Sequence, residues 1–213
     1  MTHRPSSIAN PTHGDNSPPV LSTSPGQLIV FTGPSGVGKG TLLRALLEKH
    51  PELHLSVSAT TRAPRPGEVH GQHYYFVERA DFEQMIRQGD LLEWAEFAGN
   101  YYGTPVQSVT VPVQAGHWVV LEIELDGARQ IRQRFPGAWQ IFILPPSLEE
   151  LEHRIRQRGQ DDEAAITRRL QRAQVEIEAA AEFDLQIVND DLEVALERLE
   201  SCLFERLQAT PPH

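Results

Sequence analysis

Nine consecutive residues, Gly33 to Thr41, read GPSGVGKGT and carry the clearest chemistry in the chain. They follow Gln27-Leu28-Ile29-Val30-Phe31, an apolar run of strand length, and precede Leu42 to Lys49, which reads as a helix. Strand, glycine-rich turn and helix make the setting of a phosphate-binding P-loop. Such a turn lets successive backbone N–H groups point inward, the helix adds the positive end of its dipole, and Lys39 adds a full charge. The full pattern G-x-x-x-x-G-K-[ST] wants a hydroxyl directly after the lysine. Here Gly40 intervenes and Thr41 follows.

Arginine supplies the next candidates. Arg154, Arg156 and Arg158 precede Gly159, and Arg168, Arg169 and Arg172 follow Asp161-Asp162-Glu163. On one helix Arg154 and Arg158 are i, i+4 and share a face. A basic run is ordinarily a solvated helix surface. In a chain of formal net charge −10, arginines gathered where they would face the P-loop edge of a sheet read instead as a second phosphate clamp. Arg62 and Arg65 form a third basic site in a proline-containing polar stretch. Phosphoryl transfer asks little covalent help of a protein and much positioning and charge neutralisation. Two phosphates meeting among several arginines fit transfer from ATP to a second phosphorylated acceptor.

These residues need a scaffold. The apolar runs at 28–31, 53–57, 118–123, 139–144 and 185–188 predict five strands, and near-continuous runs such as WQIFIL suit strands covered on both faces. Between them Ile166, Leu170, Ala173 and Ile177 recur at helical spacing, as do Leu192, Leu196, Leu199, Leu203 and Leu207, opened by Asn189-Asp190-Asp191 as a cap. Strands alternating with helices predict an α/β parallel sheet. Residues 58–108 interrupt the pattern with short strand-like pieces, a turn at Gly99-Asn100, and a helix from Asp81, read as its cap, to a stop at Gly89. Met1 to about Pro25, rich in Pro, Ser, Thr, Asn and His, cannot bury enough surface to offset its ordering entropy and reads as a disordered tail.

Composition excludes several classes. A hydrophobic content of 39% and charged content of 23% are ordinary for a globular protein. The acidic balance argues against a general nucleic-acid or membrane-surface binder. The one cysteine, Cys202, forbids an internal disulfide and a cysteine zinc cluster, and its helical spacing with Leu199 and Leu203 reads as a core thiol. The nine histidines show no ligand spacing, so no protein-held metal is assigned. No membrane-length apolar run and no secretory h-region are present, and a cytoplasmic protein is expected.

Six motifs in order, GPSGVGKGT, SATTRAPRPGE, GQHYYFV, LLEWAEFAGNYYGTP, RIRQRG and IVNDD, resemble guanylate kinase from about Gln27 to about Leu207. The resemblance implies a five-stranded parallel-sheet P-loop core flanked by helices (26–57, 109–150 and 170–209), an inserted α+β GMP-binding lobe (58–108) and a mobile lid (151–169). It implies transfer of the ATP γ-phosphoryl group to GMP and dGMP with Mg²⁺, and small-molecule nucleotides as the partners. Carried over by motif, Gly33, Pro34, Ser35, Gly36, Val37, Gly38, Lys39, Gly40 and Thr41 would hold the ATP phosphates, and Asn189 would lie near the adenine or act as a helix cap. Arg154, Arg158 and Arg169 would neutralise the migrating group. Arg62, Arg65, Tyr74 and Tyr102 would hold the GMP phosphate, with Ser58, Glu93 and Thr104 at the base. A carboxylate at Glu93 can accept both guanine N1–H and N2–H, a donor pair adenine does not present on that edge.

Two departures from the family pattern stand out. Gly40 takes the place of the hydroxyl that many P-loops offer Mg²⁺. Leu121-Glu122-Ile123-Glu124 replaces the usual Asp-x-Asp, with Glu124 retained as a guanine or Mg-water contact. Two other readings stay open: a kinase for another nucleoside monophosphate, and a non-catalytic guanylate-kinase-like binding module, although modules of that kind typically lack the loop lysine and lid arginines that Lys39, Arg154 and Arg158 supply here. The oligomeric state is not legible.

Overall fold

The computed structural model describes residues 26–157, 159 and 162–209. The predicted tail and Arg158 lie outside the described residues. Five strands, β1 (Leu28–Thr32), β2 (Leu53–Leu55), β7 (Trp118–Glu122), β8 (Trp139–Leu144) and β9 (Leu185–Val188), form one sheet in the order β2-β7-β1-β8-β9. Every neighbouring pair is parallel.

Alternation along β1 explains the layers. Ile29 and Phe31 pack against α1 (Lys39–Lys49), α5 (Leu148–Gln157), α6 (Glu163–Glu178) and α7 (Leu192–Ala209), through residues such as Leu42, Leu46, Ile155, Ile166 and Leu199. Leu28 and Val30 face the other side, toward Val109 and Val113 of α3 (Gln107–Gln114) and Ala128 and Ile131 of α4 (Leu125–Arg134). Both faces of β1 are fully covered, which is why its sequence is continuously apolar. Each such buried Leu, Ile or Phe contributes about 1.5–3 kcal/mol relative to an exposed one.

A second sheet is inserted between β2 and β7. It contains β3 (Ala59–Thr60), β4 (Tyr75–Phe76), β5 (Leu91–Phe97) and β6 (Asn100–Pro105), in the order β4-β3-β6-β5. The helix α2 (Arg79–Gln88) closes it with a small core of Ala59, Phe82 and Leu91.

Three local expectations are corrected. The hairpin turn is Ala98-Gly99, not Gly99-Asn100: Phe97 pairs with Asn100, and both turn residues have positive φ (49° and 76°). That is the backbone of a two-residue turn whose twist matches the strands. α2 begins at Arg79 after Glu78, so Asp81 sits inside the first turn and favours the helix dipole rather than capping it, while Gly89 ends the helix at φ 74° as expected. Asp191, not Asn189, caps α7, accepting from the N–H groups of Glu193 and Val194.

Candidate functional site

Helix α1 follows β1 onto one face of the parallel sheet and α4 follows β7 onto the other. The chain therefore departs in opposite directions from two adjacent strands, and a crevice opens beyond their carboxyl ends. A cavity of about 270 Å³ lies there, lined by Lys39 after β1, by Glu122, Ile123 and Glu124 at the end of β7, and by the inserted lobe. From the lobe come Ser58, Arg62, Arg65, Glu68, Tyr74, Glu93, Ala95, Phe97, Tyr102 and Gly103. Most residues carried over for the acceptor thus meet the P-loop lysine in one cleft.

The P-loop is shaped by its supports. Gly38 stands at φ 94° before α1 with no side-chain cap, which leaves the first N–H groups of the helix to an anion. A side chain at 38 would be strained and would meet Asn189 Nδ2 at 2.5 Å. That amide, buried, donates to the Val37 carbonyl at 2.8 Å. Asn189 therefore supports the loop from below and does not line the cleft. Lys39 Nζ donates to the Gly33 and Pro34 carbonyls at 2.6 and 3.3 Å. Arg169 of α6 donates to Ser35 Oγ at 2.9 Å, which brings one predicted arginine onto the loop. Arg154 donates to the Asn189 carbonyl at 2.9 Å and pairs with Glu150, one turn back along α5.

At the opposite end Glu93 is 3% exposed and accepts a 2.7 Å hydrogen bond from Thr104 Oγ1. Burial pushes its carboxyl up to about 7, against the opposing pull of the Thr104 hydrogen bonds. Between the two ends Arg62 donates to Glu68 at 2.7 Å and lies 5.6 Å from the centroid of the Tyr74 ring. Glu68 also accepts from the backbone N–H of Arg65, and the Arg62 hydrogen bond, with that N–H, holds its carboxyl down at about 2. Tyr74 and Tyr102 meet edge to face at 6.1 Å. Burial pushes the Tyr74 hydroxyl up, so it remains a donor.

Glu122 and Glu124 diverge. Loss of solvent within the cleft raises the Glu122 carboxyl while Lys39 opposes the shift, and its carboxylate stands 3.6 Å from where a methyl on Gly40 would be. Glu124 lies 3.8 Å from Arg172 of α6, whose guanidinium also stacks on Phe97 and bonds Glu176. Sequence reasoning passes over Glu68, and it names Arg172 only within the arginine group and Glu122 only within the Glu-x-Glu departure, with no individual role for either. Glu68 follows Arg65 by three residues, close enough for a local loop contact to suggest it. Nothing in the spacing points to the contact between Arg172 and Phe97.

Among the described residues no group of three or more His, Cys, Asp or Glu gathers as a metal cage, and no helix is long and apolar enough to cross a membrane.

The guanylate kinase family model matches residues 25–206. A guanylate kinase of a Nostoc species is 69% identical, over 84% of this chain and 90% of that protein. The guanylate kinase of Synechococcus elongatus is 60% identical, over 84% of this chain and 98% of its own. The crystal structure of guanylate kinase from Anaplasma phagocytophilum superposes with a TM-score of 0.72 at 35% identity, covering 86% of this chain and 87% of that one. With a P-loop, an arginine-lined cleft and matches of this extent, the chain belongs to the guanylate kinase family.

Proposed function

We infer that this chain is an ATP:GMP phosphotransferase, converting ATP and GMP to ADP and GDP. The observation that carries the reading is one cleft with a P-loop lysine at one end and a buried, threonine-bonded carboxylate at the other, with arginines between. The N–H groups of Gly33 to Thr41 and Lys39 bind the ATP phosphates. Arg62, Arg65, Tyr74 and Tyr102 bind the GMP phosphate, and Glu68 orients Arg62 before it arrives. Glu93 accepts from guanine N1–H and N2–H, with Thr104 fixing one carboxylate oxygen and Ser58 beside the base.

A GMP phosphate oxygen, already anionic, attacks the γ-phosphorus in line. The new P–O bond forms as the bond to the ADP oxygen breaks, so no general base is required. Lys39, Arg154, Arg158 and Arg169 neutralise the charge spread over the migrating group. Closure of a lobe at 58–108 and a lid at 151–169 excludes water from the transfer.

The oxygen donors beside Lys39 fit a hard cation brought in on nucleotide phosphates, which needs few protein ligands. Thr41 and Glu122 are the residues that would hold Mg²⁺, directly or through its water, with Glu124 nearer the base. When bound, the ion neutralises phosphate charge. We assign the enzyme to the cytoplasm on the strength of its nucleotide substrates, and extend the acceptor to dGMP because none of the assigned contacts requires the ribose 2′-hydroxyl. The binding-module reading is not favoured, since Lys39, Arg154 and Arg169 are present and engage the P-loop or its support.

A coupled assay offering GMP, dGMP, AMP and UMP with ATP and Mg²⁺ tests the assignment. GMP and dGMP are turned over and AMP and UMP are poor. Preference for AMP would remove Glu93 as the base reader.

A further inference from the structure

β5 is the edge strand of the inserted sheet, and α4 covers its outer side. Three positions of that helix, 127, 130 and 134, fall at i, i+3 and i+7 and share a face. Together they engage residues 91–94. Gln130 behaves like a neighbouring strand: the Trp94 N–H donates to Oε1 at 3.3 Å, and Nε2 donates to the Trp94 carbonyl at 2.8 Å. Arg134 donates to the carbonyls of Leu91 and Leu92. Gly127 leaves space. A methyl there would overlap Glu93 Oε2 and sit 3.0 Å from its Cδ. Glycine inside a helix costs about 1 kcal/mol against alanine, and a packing reason is the usual explanation. Here the reason is the carboxylate of Glu93.

The other side of β5 holds this stretch less firmly. Its register with β6 shifts between Leu91 and Glu93, next to the carboxylate. The interruption falls at Leu92, whose carbonyl is held from the opposite edge by Arg134, while Glu93 and the residues after it stay paired with β6.

We propose that this face of α4 is a specificity device: Gln130 and Arg134 fix the backbone on either side of Glu93 while Gly127 admits its carboxylate, so that Glu93 meets the base at one position. Gln130 and Arg134 are positioning residues, acting through Glu93 and touching no substrate. A carboxylate that must accept two donors from a planar base edge tolerates little displacement, because hydrogen bonds weaken steeply with misalignment. The arrangement also ties Glu93 to the parallel-sheet core, on which α4 packs, as well as to the lobe that carries it. The inference rests on Glu93 as the guanine-reading residue.

Kinetics of the full chain with Gln130→Ala, alone and combined with Glu93→Gln, test it. Gln130→Ala raises KM for GMP about tenfold, the scale of losing one or two hydrogen bonds. Under the proposal kcat and KM for ATP change little, the thermal midpoint falls as expected for two lost hydrogen bonds to a strand backbone, and the advantage of GMP over AMP narrows by the same factor. In the Glu93→Gln background the same change has an effect below about twofold, because interacting positions do not add. Gln130→Glu, which keeps the acceptor for Trp94 N–H and loses the donor, gives the same test should the alanine variant not fold. If Glu93→Gln alone leaves KM for GMP unmoved, the base-reading role falls and the inference with it. If Glu93→Gln raises KM for GMP but Gln130→Ala does not, or acts equally in both backgrounds, the positioning role alone is overturned.

Discussion

At the Lys39 end of the cleft, the groups proposed for phosphate are mostly main-chain N–H groups. They are held by a left-handed Gly38 and by props from outside the loop, the Asn189 amide and Arg169. At the Glu93 end the proposed recognition group is a side chain, a buried carboxylate with its threonine, and the two arginines and two tyrosines proposed for the acceptor phosphate lie between the ends. Phosphate is the same in every nucleotide, so a backbone cradle serves it without regard to the base. Telling one purine from another requires an acceptor placed against particular donors, which only a side chain supplies. Substitutions at the two ends should therefore fail in different ways.

The largest separation comes from Lys39→Ala. Removing the one full charge of the cradle lowers kcat by about a hundred- to a thousandfold, the scale of losing one transition-state donor, as steady-state assay at saturating GMP would show. Glu93→Gln sharpens the contrast from the other side. It lowers kcat/KM for GMP by about a hundredfold, through an amide N–H facing guanine donors, while KM for ATP holds.

The raised carboxyl of Glu93 gives a third, smaller effect. Base reading needs the ionised form, so kcat/KM for GMP falls about tenfold per pH unit as pH drops below about 7 and is level above it. The Glu93→Gln profile lacks that limb. Stability runs the opposite way. The folded carboxyl binds its proton near 7 against 4.5 ordinarily, so stabilisation fully present below about 4.5 is lost as pH rises through 7. By thermal unfolding at pH 8, Glu93→Gln should be more stable than the parent by about 3 kcal/mol.

The smallest effect belongs to the props. Asn189→Ala leaves the Val37 carbonyl unpaired, costs about 1–3 kcal/mol of stability and raises KM for ATP several-fold, with KM for GMP unmoved. If KM for GMP moved as much, the two ends would not be separable.

Much of this was legible in the sequence because the core is simple. The runs LIVFT and WQIFIL have both faces buried or nearly so, and continuous apolarity reports that directly, whereas LQIV on the sheet edge fully buries only Ile187. The P-loop announced itself by glycine spacing beside a lysine, and Glu93 by its motif. What the sequence concealed depends on distant partners. Asn189 looked like a cap because it precedes a helix, but the amide lies under a loop 152 residues away in sequence, and Asp191 does the capping. Gln130 and Arg134 carry no signal in the sequence, because their partners are backbone groups, which no residue type betrays. Gly127 carried the one available signal, a glycine within a helix.

The division of labour is tested most directly by calorimetric titration of GMP into the Lys39→Ala protein. The account predicts GMP affinity within about threefold of the parent, despite the lost turnover, because no acceptor contact is assigned to Lys39. Loss of GMP binding would contradict it and show the two ends to be one site.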